Sequence, residues 1–156
     1  MKIQNKAHLP IEYSILSCID TVTFLEKKQI IDFLFEQLDE YGDKVGDIEK
    51  AVEYAVSDFN HQGGLIILAK SDDNIAGAAV VLKTGMERYI PENILVYIAT
   101  HKAYRGKGIG SELMNRVISL TSGDIALHVE RDNPARKLYE KIGFTNKYLE
   151  MRYHKG

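Results

Sequence analysis

Three glycines in alternate positions, Gly106, Gly108 and Gly110, lie in a segment that also carries His101, Lys102, Arg105 and Lys107. Between Asn93 and Ser111 the chain has no acidic residue. Glycine takes up positive-φ conformations that a Cβ resists, so such a loop can turn several backbone N–H groups toward one point. Its flanks strengthen the chemistry. Residues 94–100, Ile-Leu-Val-Tyr-Ile-Ala-Thr, are an apolar and β-branched run of the kind buried on both faces of a sheet. Ile109, Leu113, Met114, Val117 and Ile118 recur at helical spacing, which predicts a helix to about Thr121. A strand, a glycine loop and a helix N-terminus in that order make an anion site, here suited to phosphate and best to a pyrophosphate. The loop is not a Walker loop, which needs Gly-x-x-x-x-Gly-Lys before Ser or Thr. Nor is it the dinucleotide fingerprint, because its spacing is Gly-x-Gly-x-Gly.

A second constellation runs from Leu127 through Val129, Asn133, Ala135, Tyr139, Gly143 and Phe144. Asn133-Pro134 supplies an N-cap and a proline at the first helical position. Ala135, Leu138, Tyr139 and Ile142 make an i, i+3, i+4, i+7 stripe, and Gly143 is placed to end it. On that stripe Tyr139 is either a core aromatic or a general acid, a role tyrosine can fill.

Read together, the two blocks resemble a known family. Tyr104-Arg105-x-x-Gly108-x-Gly110 is similar to the coenzyme A pyrophosphate loop of the GCN5-related N-acetyltransferases (GNATs), and the 127–144 block resembles the second motif of that family. The resemblance implies acetyl-CoA as cosubstrate, held by Arg105, Gly106, Lys107, Gly108, Ile109, Gly110 and Ser111, with Asn133 also in contact. It implies two central strands that splay apart, with the pantetheine arm paired to the backbone of Ile98, Ala99 and Thr100. It implies that Tyr139 faces the thioester sulfur and serves the leaving thiolate as general acid. Some family members carry a glutamate in the central strand as base; here the candidates are Glu92, Tyr97, His128, Glu130 or water, and the choice stays open.

The remaining elements must position these groups. Residues 11–19 read as a first strand. Thr23 and Glu26 have the spacing of a capping box, followed by Ile31, Leu34, Phe35 and Leu38 on one helical face up to Gly42. A second helix is expected from near Asp47, with Ile48, Val52, Ala55, Val56 and Phe59 inward and Gly63-Gly64 as its stop. Strands are expected at 65–69 and 75–82 around the 71–74 turn, at 93–100, at 125–129, and finally at 145–153. The order βααβββαβαβ is an α+β class domain, which the resemblance makes a mixed, mostly antiparallel sheet flanked by helices, one domain over residues 1–156.

Composition sets the outer limits. A chain of 156 residues with 45% hydrophobic and 27% charged content is an ordinary globular sequence. A net charge of −2 points to no nucleic acid and no anionic membrane as partner. The single cysteine, Cys18, cannot form an internal disulfide and lies in an apolar run, so a buried thiol in a reducing, cytoplasmic setting is expected. His8, His61, His101, His128 and His154 show no metal-ligand spacing with one another or with Cys18, so no metal is expected. The compact length favours a small primary amine as acceptor, with a protein lysine, a protein N-terminus, or a coenzyme A-binding module without turnover as alternatives. Homodimerisation is left open. Nine carboxylates against two lysines between Asp32 and Asp58, with Asp39, Glu40 and Asp43 near the helix connection, favour a cationic acceptor.

Overall fold

The computed structural model describes residues 10–57 and 61–156. Five strands form one sheet in the order of the chain: β1 (Ile11–Leu16), β2 (Gly64–Ser71), β3 (Asn74–Lys83), β4 (Asn93–Thr100) and β5 (Ile125–Leu127). The first four pair antiparallel, and β4 pairs β5 in parallel. A parallel pair needs a crossover, here α3 (Ile109–Leu120). Helices α1 (Phe24–Leu38) and α2 (Val45–Val56) cover one face, and α3 with α4 (Ala135–Ile142) covers the other. The architecture is the mixed, mostly antiparallel sheet flanked by helices that the sequence leads one to expect.

Each face closes over its own apolar cluster. Ile30, Leu34, Ile48 and Val52 meet Ile66, Leu68, Val80 and Tyr97 on the first. Ile109, Leu113, Met114, Val117 and Tyr139 meet Ile67, Val81 and Leu95 on the second. A Cβ on Gly77 of β3 would stand 2.8 Å from Ile109 Cγ2, so the missing side chain lets the first turn of α3 press onto the sheet. The α1 capping box forms as expected: Thr23 Oγ1 accepts the Glu26 N–H at 3.1 Å, and Glu26 Oε2 accepts the Thr23 N–H at 2.9 Å.

Several expectations are corrected. The final strand over 145–153 is absent, although Leu149, Met151 and Tyr153 alternate as a strand would. A strand needs a ladder, and β5, the neighbour it would require, is only three residues long; Met151 is 92% exposed. The first strand ends at Leu16 instead of Ile19, because the Asp20 carboxylate accepts the Ser17 N–H at 2.8 Å and turns the chain. That turn leaves Cys18 exposed, against the expected buried thiol. The buried stripe of α1 runs through Ile30, Ile31, Phe33, Leu34 and Gln37, which leaves Phe35 half exposed. Ile118 of α3 is likewise outward. Helix α2 begins at Val45, two residues before Asp47; Phe59 and His8 lie outside the described residues. Strand β5 stops at Leu127, two residues short of Val129.

Candidate active site

The site is made where β4 and β5 part. Their ladder holds three pairs, Asn93↔Ile125, Ile94↔Ala126 and Leu95↔Leu127, and then β5 ends. Residues Val96, Tyr97, Ile98, Ala99 and Thr100 stay in strand conformation against β3 but have no strand neighbour on the other edge. A β-bulge sits at the parting point: Val80 pairs Tyr97 while Val81 pairs Leu95, so Val96 is the extra residue. The bulge changes which side each residue faces. Leu95 and Ile98 join the α3 side, whereas Val96, Tyr97 and Ala99 join the α1–α2 side. Alternation read from sequence alone gives no sign of it.

The glycine loop begins at the end of that open edge. Gly106 and Gly108 have φ of 77° and 80°, conformations that L side chains rarely adopt, and Gly108 is the N-cap of α3. No side chain caps the helix, and the first intrahelical bond in this turn is Glu112 N–H to the Gly108 carbonyl at 3.0 Å. The N–H groups of Ile109, Gly110 and Ser111 therefore have no helical partner, as in any first turn, and the helix dipole adds to their positive character. Gly110 is different: its φ is not positive, and a Cβ there would lie 3.4 Å from Leu138 Cδ2 and 3.7 Å from Thr100 Oγ1, ordinary contact distances that place it between α4 and the end of β4. The Ile109 side chain is buried in the core and offers a ligand only its backbone.

Cations rim this cradle. Arg105 and Lys107 are exposed, and no carboxylate pairs with either among the described residues. Lys107 Nζ lies 5.3 Å from the centre of the Tyr104 ring. The loop entrance is built from within: His101 Nδ1 accepts the Ala103 N–H at 3.0 Å, and the imidazole packs between Phe33 and Tyr104. A residue the sequence reading missed ties this turn to α1. Gln37, 6% exposed, accepts the Lys102 N–H through Oε1 at 3.0 Å. The signal for it was a polar residue on the inward stripe of a helix, where a buried amide must have a partner.

The second block stands beside the loop. Asn133 Oδ1 accepts the Ala135 N–H at 2.9 Å, which caps α4 and leaves the carboxamide NH2 as the group Asn133 can offer a ligand. Tyr139, 8% exposed, shares one apolar cluster with Ile98, Tyr104 and Ile109 and meets Phe144 edge-on at 6.0 Å. Burial pushes its phenol up to about 12, so it keeps its proton at neutral pH. No hydrogen-bond partner of its hydroxyl is found among the described residues.

The four base candidates separate. Glu92 lies at the far end of β4, about 26 Å from the loop at the usual strand rise. Its carboxylate accepts N–H groups of Arg88 and Asp124, and those bonds hold it below the usual carboxylate range. Tyr97 donates to Asp43 Oδ2 at 2.6 Å; burial first, and then the Asp43 bond, raise its phenol, which makes it a donor at neutral pH. His128 and Glu130 are exposed and lie beyond the end of β5. Among the described residues no three His, Cys, Asp or Glu side chains gather as metal ligands.

Comparison with known proteins gives this arrangement a context. Residues 62–146 match the model of an acetyltransferase (GNAT) domain. The chain is 32% identical over 102 residues to the N-alpha-acetyltransferase RimI of Mycobacterium tuberculosis, a match covering 64% of this chain and 61% of that one. The chain spans 24% and 61% of the lengths of the two curated relatives it matches. Its fold is that of a possible acetyltransferase from Clostridium difficile 630, with a TM-score of 0.67 and 18% identity over 94% of this chain and 97% of that one. It is also that of the aminoglycoside N-acetyltransferase AAC(6')-Iy, solved in complex with CoA, with a TM-score of 0.66 and 14% identity over 94% and 96% of the two chains.

Gln37→Ala removes the acceptor of the Lys102 N–H without altering any charge. The expected cost is about 1–3 kcal/mol, the range for a backbone donor left unsatisfied. Urea unfolding followed by circular dichroism measures it; an unchanged midpoint would mean that water replaces the side chain there.

Proposed function

Because the chain belongs to the GNAT acetyltransferase family, we propose that it moves the acetyl group of acetyl-CoA to a primary amine of a small molecule by direct attack. The observation that carries this reading is the uncapped, glycine-built N-terminus of α3 set against the unpaired edge of β4. Backbone N–H groups of Gly106, Gly108, Ile109, Gly110 and Ser111, with Arg105 and Lys107, suit a pyrophosphate. The Asn133 carboxamide adds a donor. The open edge from Ile98 to Thr100 suits an extended, amide-bearing arm, because alternate backbone groups there are without a ladder.

The chemistry asks little more of the chain. Acetyl-CoA supplies an activated thioester. The acceptor must be a free amine to attack, although an alkyl ammonium has a pKa of about 10. Glu92 and Tyr97 are engaged elsewhere, which leaves His128, Glu130 or water to take the proton. The nitrogen lone pair forms the new C–N bond, a β4 N–H stabilises the oxyanion, and collapse breaks the C–S bond. Tyr139 holds its proton at neutral pH and donates it, or a hydrogen bond, to the departing thiolate. Carboxylates at Asp39, Glu40, Asp43 and Asp47 favour a cationic acceptor by raising its encounter rate. No described helix is long and apolar enough to cross a membrane, and with a single cysteine the chain suits the reducing cytoplasm.

The likeness to RimI favours a second reading, acetylation of a protein α-amine. A panel of 1,4-diaminobutane, spermidine, kanamycin, free lysine and a peptide with a free N-terminus, each with acetyl-CoA, separates the two by thiol release and mass of product. A small amine with the highest kcat/KM is expected. Turnover of the peptide alone would move the assignment to the second reading, and thiol release with no amine at all would refute both.

Two substitutions assign the parts. Gly108→Val puts a β-branched side chain at φ of 80°, where backbone must meet phosphate, and is expected to abolish acetyl-CoA binding in calorimetry while the domain stays folded. Tyr139→Phe keeps the ring and removes the hydroxyl. It is expected to lower kcat by about 10²-fold with little change in coenzyme affinity. Wild-type kcat in that variant would make Tyr139 a packing residue.

A further inference from the structure

Tyr97 sits where the sheet opens, in the second residue after the last β4–β5 pair. It is 7% exposed, and it faces α1 and α2 rather than the glycine loop. Its hydroxyl crosses to the connection between those helices and donates to Asp43 Oδ2 at 2.6 Å, a link between residues 54 apart in the chain. Asp43 is exposed, and no Lys, Arg or His pairs with it among the described residues. The connection consists of a 3-10 turn, Asp39–Tyr41, followed by Gly42, Asp43 and Lys44; Gly42 N–H bonds the Asp39 carbonyl at 3.2 Å, and the Lys44 carbonyl accepts the Asp47 and Ile48 N–H groups of α2 at 3.0 and 3.2 Å. Among the described residues, Asp43 carries the side-chain hydrogen bond from this connection to the sheet.

The layout decides what that link controls. A ligand anchored at the α3 N-terminus and lying along the open edge of β4 is backed by α3 and α4 on one face of the sheet. The second reactant then has to come from the other face, which α1, α2 and their connection border. We propose that Tyr97 is a positioning residue for the acceptor: through Asp43 it pins the α1–α2 connection beside the open edge of β4 and so fixes the acceptor side of the cleft. This rests on the acetyl-transfer reading above. The pin is a hydrogen bond, and its effect depends on an acceptor oxygen at position 43 more than on the negative charge there. Burial and the Asp43 charge keep the Tyr97 phenol protonated, so the donor is present throughout the neutral range.

The test uses the full chain, the fastest amine of the panel above, and 0.15 M salt, where one exposed charge is largely screened. Tyr97→Phe and Asp43→Ala are each expected to raise the acceptor KM by about tenfold, the low end for losing a hydrogen bond to a charged group. The KM for acetyl-CoA should stay within about twofold, because the pin does not touch the loop side. The double variant should be no worse than either single one, since both remove the same bond. Asp43→Asn keeps an oxygen for Tyr97 and should recover most of the KM rise seen in Asp43→Ala, leaving only the part owed to the lost charge, which is small at this salt concentration. Additive effects, equal changes in both KM values, or an Asn variant as impaired as the Ala variant would each overturn the proposal and leave acetyl transfer standing. If no panel amine is acetylated by the wild type, the parent reading falls and this one with it.

Discussion

A backbone that stops being paired has to find another partner or stay in water, and β4 is built around that constraint. Its first three residues are laddered on both edges; its last four, Tyr97 to Thr100, are laddered on one, and Val96 between them has no ladder partner. The bulge at Val96 marks the change and adds local twist, as bulges do. Asn93 secures the closed end: its buried carboxamide donates to the carbonyls of Ser122 at 2.8 Å and Asp124 at 3.2 Å, which holds the entry to β5 beside β4. The sheet is therefore closed firmly at one end of β4 and open at the other. Everything on the candidate site is placed by reference to that opening.

The two sides of the opening do different work. On the α3 side the groups are backbone N–H groups and cations, fixed by Gly106, Gly108 and the packing of Gly110 under Leu138. On the α1–α2 side they are carboxylates and phenols on a short connection. Two long-range bonds join that side to β4 and to the loop, Asp43 to Tyr97 and Gln37 to Lys102. Cations thus border the α3 side of the opening and carboxylates the α1–α2 side.

What the sequence made legible was local. The strand–glycine–helix segment could be read because each part declares itself within a few residues, and so could the Thr23–Glu26 box and the Asn133 cap. The paired faces of the sheet followed from period-2 and period-3.6 patterns. What stayed hidden depends on distant partners. Nothing in the run Ile94 to Thr100 shows which residue is the bulge, because that is set by its register on β3. Gln37 and Asp43 look like ordinary polar positions until 65 and 54 residues of chain are folded against them. The segment 145–153 has strand composition but forms no ladder, and Cys18 has apolar neighbours in sequence yet lies exposed. Propensity predicts an element only when the fold supplies its other half.

We propose the open edge of β4 and the α3 N-terminus together as one coenzyme site. Amide hydrogen exchange with and without coenzyme A tests it most directly, since the contacts in question are backbone N–H groups. Saturating coenzyme A is predicted to slow exchange at Ile98 to Thr100 and at Gly106 to Ser111, and to leave the laddered amides of β1 and β2 unchanged. Coenzyme binding seen by calorimetry, with protection confined to other parts of the chain, would contradict the account.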